Sequence, residues 1–548
     1  MDKKGFSRFF AISLLVLYSV WVLFLYVNFS GFQELRHSDP LWLVHCLYPV
    51  YYSIIGFFLL IFVAMFYLKC DSSMLHISYL SLLSLVIYGT PYFISTYARF
   101  PDTIGVAGNV LALEEVLLSQ PSSYPANYPA SYIFFKCIHI VSNLDLFYFA
   151  RMIFAPLCLV SIIILWYIII SRQVNAQVAF LSSLLIIPAQ IVEISITPNS
   201  FAILLMLTAL VLYTPLKLDN IQGSLQNEPY NHRKDPAVTV LSKHTVKHNY
   251  RKIPLFAVMA VLVFTHPVNA VILLVMVSVF YSSDKVFSTR YFGVSLKGLI
   301  FLCLLWVWWL VSITVSGGSL IQTLYRMIST ESAIEVAAQY SAGNTGFIYS
   351  YIDQILALKY ALYGFFALLL LLYAVYTLIH YKNWEQFQLP ATFLAISAIL
   401  VMITMLNLMR GGTDIQNVIS RTLNFAMYAL CAFIACSVSS IVNLESKIVR
   451  STKIGFVLFL VFALLTYPVY SFARDSYINF PFSEGAGRDF KVENCLQDET
   501  YMAKSKATYF HSYMYGEITY DEMMRNYNIF MSESKVYTND WYTLGIKT

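Results

Sequence analysis

The sequence predicts an all-α polytopic membrane protein of about 11–13 transmembrane helices with a small outer C-terminal region. Three observations predict it. The chain has 548 residues, of which 58% are hydrophobic and only 12% charged, where a soluble domain is about one-quarter charged. Its mean hydropathy is +0.65. Apolar runs close to the roughly 20 residues needed to cross a bilayer recur along it, and Lys and Arg concentrate in alternate loops. Its 8 cysteines stand singly, without a CxxC pair, and read as small buried hydrophobes rather than a disulfide framework or zinc site.

Taken in order, the apolar runs place spans at 9–29, 45–68, 74–97, 145–171, 176–193, 198–215, 253–265, 267–282, 299–315, 352–380, 389–409, 417–442 and 453–472. The opening MDKKGFSR resembles the start of a signal peptide, but no small-residue cleavage site closes the first run, so a retained helix is expected. The long run 253–282 is divided at Thr265-His266-Pro267, because proline removes an amide donor and a polar pair stands beside it. The two halves are short for full spans and suggest a partly re-entrant hairpin. Residues 131–142 are too short to cross and belong at the interface.

The basic residues orient these spans. Lys3, Lys4 and Arg8, then Lys69, Arg172, the loop 216–252, Lys285 to Lys297, Lys382 and Lys447 to Lys453 fall on one side only if the chain turns back at His266. The expectation is a multi-pass protein of the cell membrane with its N-terminus cytoplasmic and its C-terminus extracytoplasmic. Residues 1–472 then form the membrane domain, and 473–548 a small outer region, partly helical near 519–531. The loop 216–252 is cytoplasmic, polar and basic, and its histidines read as a solvated face rather than a metal site. The outer loop 316–351, with Ser316-Gly-Gly and Ser341-Ala-Gly-Asn-Thr-Gly, is expected to be mobile. No internal repeat, Gly-rich phosphate loop or nucleic-acid patch is visible, so no nucleic-acid partner is expected.

The outer segment 98–142 carries the candidate chemistry. It reads as an acid-bearing loop with Asp102, a surface helix built on Val110, Leu111, Leu113, Val116, Leu117 and Leu118, and a rigid Tyr124-Pro125 to Tyr128-Pro129 turn. Ionisable groups at span ends are costly and usually face a cavity or a partner. Asp102 could take a proton from a hydroxyl or hold a divalent ion; its plain reading is a helix cap or a partner of Arg99. Glu193, in IIPAQIVEISITP, could complete a metal site or bond substrate; its plain reading is an interface carboxylate reaching water. His266 suits a phosphate, a metal or a sugar hydroxyl, against a turn histidine bonded to freed carbonyls. Arg421, in NVISRTLNFAMY, suits bidentate grip of phosphate, against an ion pair with Asp414. Arg410 and Arg151 repeat that idea more weakly. Glu114 and Glu115 belong to the surface helix, and Tyr128 could stack on a sugar or anchor at the interface.

The layout resembles the GT-C superfamily of integral-membrane glycosyltransferases, in its uncharacterised archaeal and bacterial branches. The resemblance rests on Arg99-Phe-Pro-Asp102 soon after a span, the surface helix and YPANYP that follow, the Thr265-His266-Pro267 turn, and Arg421 opening a late span ahead of a small outer region; it covers about 74–472. It implies inverting transfer of a sugar from a polyprenyl-phosphate donor to a lipid or protein acceptor on the extracytoplasmic face, among membrane lipids. By position, Asp102 would be the general base and Arg421 would bind the donor phosphate. His266, Glu193, Arg410 and Tyr128 would line the substrate site, and Asp102 with Glu193 would hold a divalent cation, Mg or Mn. Departures are the absence of a DxD at Asp102, Gly105-Val106-Ala107 where a histidine often follows the acid, and no WWDYG-like motif in the tail. The rival readings are a transporter or flippase of lipid-linked saccharides and a non-catalytic membrane scaffold.

Overall fold

The computed structural model describes chiefly residues 3–28, 49–94, 101–119, 124–189, 196–214, 252–287, 296–317, 361–372, 388–410, 415–442 and 447–478, with small gaps, together with three short strands in the tail. The membrane body is helical throughout these residues. Seven helices are long and apolar enough to cross a membrane, and several shorter apolar helices accompany them. The protein is therefore an all-α polytopic membrane protein.

The chain opens with α1 (Lys3–Asn28), α2 (Val50–Tyr67) and α3 (Ser73–Ser84). Helix α1 buries Phe10, Leu14, Leu17, Trp21 and Phe24 and leaves residues such as Leu15 and Leu23 on its outer face. That spacing of three and four keeps one stripe toward its neighbours, and the apolar remainder suits lipid. Helix α3 does not run on as a regular helix: Leu85–Gly89 is a π turn, followed by α4 (Thr90–Ile94). Pro91 supplies the cause, since it has no N–H for the turn below. The Val86 carbonyl instead accepts the Tyr51 hydroxyl at 3.2 Å and Thr90 Oγ1 at 2.5 Å. Trp21 Nε1 donates to Thr90 Oγ1 at 2.9 Å, tying α1 to the same break.

The segment expected as a loop with one surface helix is a set of four helices: α5 (Pro101–Leu111), α6 (Leu113–Ser119), α7 (Tyr124–Asn127) and α8 (Ala130–Ser142). Proline opens α5 at a position where its missing N–H costs nothing. The amphipathic pattern is divided between α5 and α6. Val110, Leu113 and Val116 are buried, while Glu114, Leu117 and Leu118 are exposed. Lys136 Nζ of α8 donates to the Leu111 carbonyl at 2.7 Å, closing the free end of α5.

Asp145 then caps α9 (Leu146–Tyr148) by accepting from the Tyr148 amide at 2.8 Å. A second π turn, Phe149–Phe154, precedes α10 (Ala155–Gln173). Next come α11 (Ala176–Ala189) and α12 (Pro198–Tyr213). Helix α11 is the centre of the bundle: every residue from Val178 to Ala189 is buried. A helix apolar on all sides belongs in such a place. Its 14 described residues span about 21 Å. Residues 190–193 of the expected span lie outside the described residues. Two of the α11 carbonyls near Pro188 accept hydroxyls from other helices: Tyr363 donates to Leu185 O at 2.8 Å and Tyr88 donates to Ile187 O.

The chain turns at His266 between α13 (Lys252–Thr265) and α14 (Pro267–Val286). Only α13 is short. Helix α14 has 20 residues and is long enough to cross, so the expectation that both halves are short for full spans is corrected for this one. Then follow α15 (Leu296–Gly317), the helical stretch within 361–372, α16 (Gln388–Arg410), α17 (Ile415–Val442) and α18 (Lys447–Ile478). Helices α16 and α17 pack along their length, and α17 also packs on α11. Ala426, Ala429, Cys431, Ala432, Ala435 and Cys436 are all buried on α17. Small side chains let backbones approach closely where burial from water supplies no force between helices.

The tail adds a three-stranded antiparallel sheet of β1 (Tyr501–Lys504), β2 (Lys535–Thr538) and β3 (Thr543–Ile546), in the order β1-β3-β2. Nothing in the tail's sequence pattern predicts these strands. The expected helix near 519–531 and the loops 216–251 and 318–351 lie outside the described residues.

Candidate functional site

Two ends of the bundle can be told apart from the contacts of α10 to α12. At one end His76 stacks on Phe180, at the start of α11, with ring centroids 4.4 Å apart, and its Nδ1 lies 3.4 Å from the Tyr167 hydroxyl late in α10. Arg172, last turn of α10, donates to Val211 O near the end of α12. The opposite end therefore holds the start of α10, the end of α11 and the start of α12. Cys158 Sγ, near the start of α10, reaches Ser200 O on α12 at 3.8 Å there.

The candidate site is built at this second end. Helices α12 and α14 begin side by side, each with proline in its first turn. Thr197 caps α12 by accepting from the Ser200 amide at 3.3 Å, and its hydroxyl lies 2.9 Å from Ser200 Oγ. Asn269 of α14 donates through Nδ2 to Asn199 Oδ1 of α12 at 2.9 Å. His266 precedes α14 in the turn between the two helices, outside both of them, and is 2% exposed. Its side chain makes no capping bond to its own helix.

Arg421, in the second turn of α17, is half-buried and close enough for its charge to act on the His266 imidazole. Burial first, and the guanidinium second, hold that imidazole well below the usual histidine range. Both favour the neutral ring, since an isolated buried charge is costly and a like charge raises the cost. Around Arg421, Thr422 Oγ1 lies 2.7 Å from Thr404 Oγ1 of α16, and Asn424 is fully buried. Two of the residues singled out from sequence, His266 and Arg421, are thus brought together from distant parts of the chain. Asn199, Asn269 and Asn424 were not singled out. Their signal was present, since uncharged amides within apolar runs are rare enough to need partners.

Asp102 lies in the first turn of α5 rather than in a loop. Helix α5 packs on α8, and α8 packs against α12 and α13. Phe134 of α8 stacks on Phe201, in the first turn of α12, with centroids 4.5 Å apart. The helix that carries Asp102 therefore sits at the same end as His266; its side chain lies outside the described residues. Glu193 and Asp414 lie outside them altogether. Arg410 ends α16, with its side chain also outside the description.

Tyr128 is buried at the α7–α8 junction, and burial pushes its hydroxyl up to about 12. Glu114 is exposed on α6. Arg151 is half-buried in the second π turn, within reach of the Asp145 charge. No group of three or more His, Cys, Asp or Glu side chains stands together among the described residues. The two carboxylates expected to hold a cation are hard oxygen donors, the type that Mg and Mn take.

Chemically, this end offers a half-buried guanidinium, a buried imidazole held neutral, and buried uncharged amide and hydroxyl groups. Such a setting strengthens interactions with an anionic leaving group. A scan against known protein families finds no family model that matches the chain, and no curated protein matches it in sequence.

Proposed function

We propose that this protein is a GT-C-type membrane glycosyltransferase. It moves a sugar from a polyprenyl-phosphate donor to a hydroxyl of a lipid or protein acceptor on the extracytoplasmic face, with inversion at the anomeric carbon. The observation that carries the reading is the convergence of His266 and Arg421 at the end of the bundle where the Asp102-bearing helix also packs.

In this reading Asp102 takes the proton of the acceptor hydroxyl, and the acceptor oxygen attacks the anomeric carbon. The bond from that carbon to the phosphate oxygen breaks, and the leaving phosphate takes the electron pair. Arg421 holds the phosphate by paired N–H donors and stabilises its growing charge. Neutral His266 offers a donor or acceptor to the sugar or phosphate. Glu193, Arg410 and Tyr128 complete the substrate surroundings. A divalent cation, Mg or Mn, held by Asp102 and Glu193 would supply further neutralisation of phosphate charge.

The test is reconstitution in vesicles with a radiolabelled polyprenyl-phosphate sugar. Wild type should form product. Asp102→Asn should lower the rate by about 100-fold or more, as loss of a general base does. Arg421→Ala should lower it by a comparable amount. Full activity in both variants overturns these roles. Translocation of the lipid-linked sugar with no transfer to any acceptor would identify a flippase instead.

A further inference from the structure

The His266 turn has an unusual means of support. Thr197 fixes the start of α12 locally, through its bonds to Ser200. His266 does not do the same for α14, because its side chain makes no capping bond. The start of α14 is instead tied by a side-chain bond to the neighbouring helix. Asn269, 0% exposed, directs its Nδ2 to Asn199, 2.9 Å from the side-chain oxygen and 3.4 Å from the backbone oxygen. One amide thus meets two acceptors on one residue of α12. Asp cannot do this, since an ionised carboxylate has no donor. Both residues lie in the first turn of their helices. A bond there sets how α14 is rotated and shifted against α12, and so where the residue one turn earlier in the chain is placed.

We propose that Asn269, bonded to Asn199, is the positioning residue for the His266–Arg421 pair. It locks the His266 turn so that the imidazole stays buried, within reach of the Arg421 charge. The proposal rests on the glycosyltransferase reading for its consequence in turnover, but not for its geometry.

Two readouts separate the two. The first is carbethoxylation of histidines by diethylpyrocarbonate in the purified full-length protein in nanodiscs, read peptide by peptide by mass spectrometry. His266 should be protected in wild type. In Asn269→Ala, Asn269→Asp and Asn199→Ala its modification rate should rise by about tenfold, the scale of one lost buried hydrogen bond. Asn199→Asp keeps the acceptor, so His266 should stay protected. His76, 1% exposed at the other end of the bundle, is the internal control and should stay protected in all four.

The second readout is turnover with the polyprenyl-phosphate sugar. Asn269→Ala should lose about 100-fold in kcat, as a shift of about 1 Å in a reacting group does, with KM little changed. The double variant Asn199→Ala/Asn269→Ala should be no worse than either single one, since both remove the same bond. His266 remaining protected in the Asn269 variants overturns the proposal. So does equal opening of His76, which would mark general loosening. If Asn269→Ala does not fold, Asn199→Ala reads the same bond from the other side. If the labelling pattern holds but wild type transfers no sugar, the positioning role stands and the glycosyltransferase reading falls.

Discussion

At the scale of single residues, His266 shows how burial and charge decide a protonation state. The folded protein holds the ring neutral, whereas the unfolded chain takes a proton below about pH 6.5. Above that value the two states bind the same number of protons, and the contribution to stability is complete. As pH falls below it, the unfolded state binds more protons, and stability is lost at up to about 1.4 kcal/mol per pH unit until the lowered folded value is reached. Thermal unfolding in detergent from about pH 8 to about pH 5 should therefore show a falling midpoint in wild type. In His266→Gln that component should be missing. Equal acid sensitivity of the two proteins would show that the imidazole is not kept neutral by folding. The Arg421 neighbour adds a second test, since Arg421→Gln should reduce the acid sensitivity without removing it, burial being the larger cause.

At the scale of elements, the bundle is organised by one short helix. Helix α11 is buried on all sides, and near Pro188 its carbonyls accept hydroxyls from Tyr88 and Tyr363. Its neighbour α17 packs both on it and on α16, and carries small residues, among them Ala429 and Ala432, both 0% exposed. Ala432→Leu should force these backbones apart and cost about 1–3 kcal/mol, the usual price of overpacking. Unfolding by denaturant in mixed micelles measures it. The control is Leu406→Ala on the exposed flank of α16, which should change stability by less than about 0.5 kcal/mol. A loss no greater than the control's would mean that α17 does not depend on close approach. The helix boundaries were legible in the sequence to within a few residues for most spans, because an apolar run of bilayer length has few alternatives. The π turn at Leu85–Gly89 was not. Pro91 signals a disturbed hydrogen-bond ladder, but only the hydroxyls of Tyr51 and Thr90, one of them from another helix, determine how it is repaired.

At the scale of the whole molecule, the proposed chemistry requires the His266 end of the bundle to face outward. The distribution of Lys and Arg predicts that orientation. Cysteines introduced singly into a variant whose 8 native cysteines are replaced by Ala or Ser, one in the tail 473–548 and one in the loop 216–252, test it with a membrane-impermeant maleimide on whole cells. The tail cysteine should react at once, and the loop cysteine only after permeabilisation. The reverse pattern would put the His266 end on the cytoplasmic side and remove an extracytoplasmic transferase. The same assay checks the turn at His266, because without it every later loop would change sides.

By itself the sequence determined the class of protein, most of the span positions and the break at His266. Each follows from local physical limits: the length of apolar chain a bilayer needs, and the amide that proline lacks. The tertiary structure alone decided which polar groups meet. The His266–Arg421 approach, the Asn269–Asn199 bond and the burial of α11 join residues far apart in the chain. Hydropathy carries no information about which helices become neighbours. It also missed α5 around Asp102 and the small sheet of the tail. A polar segment of mixed composition leaves its conformation to long-range packing and strand pairing, which only the folded chain supplies.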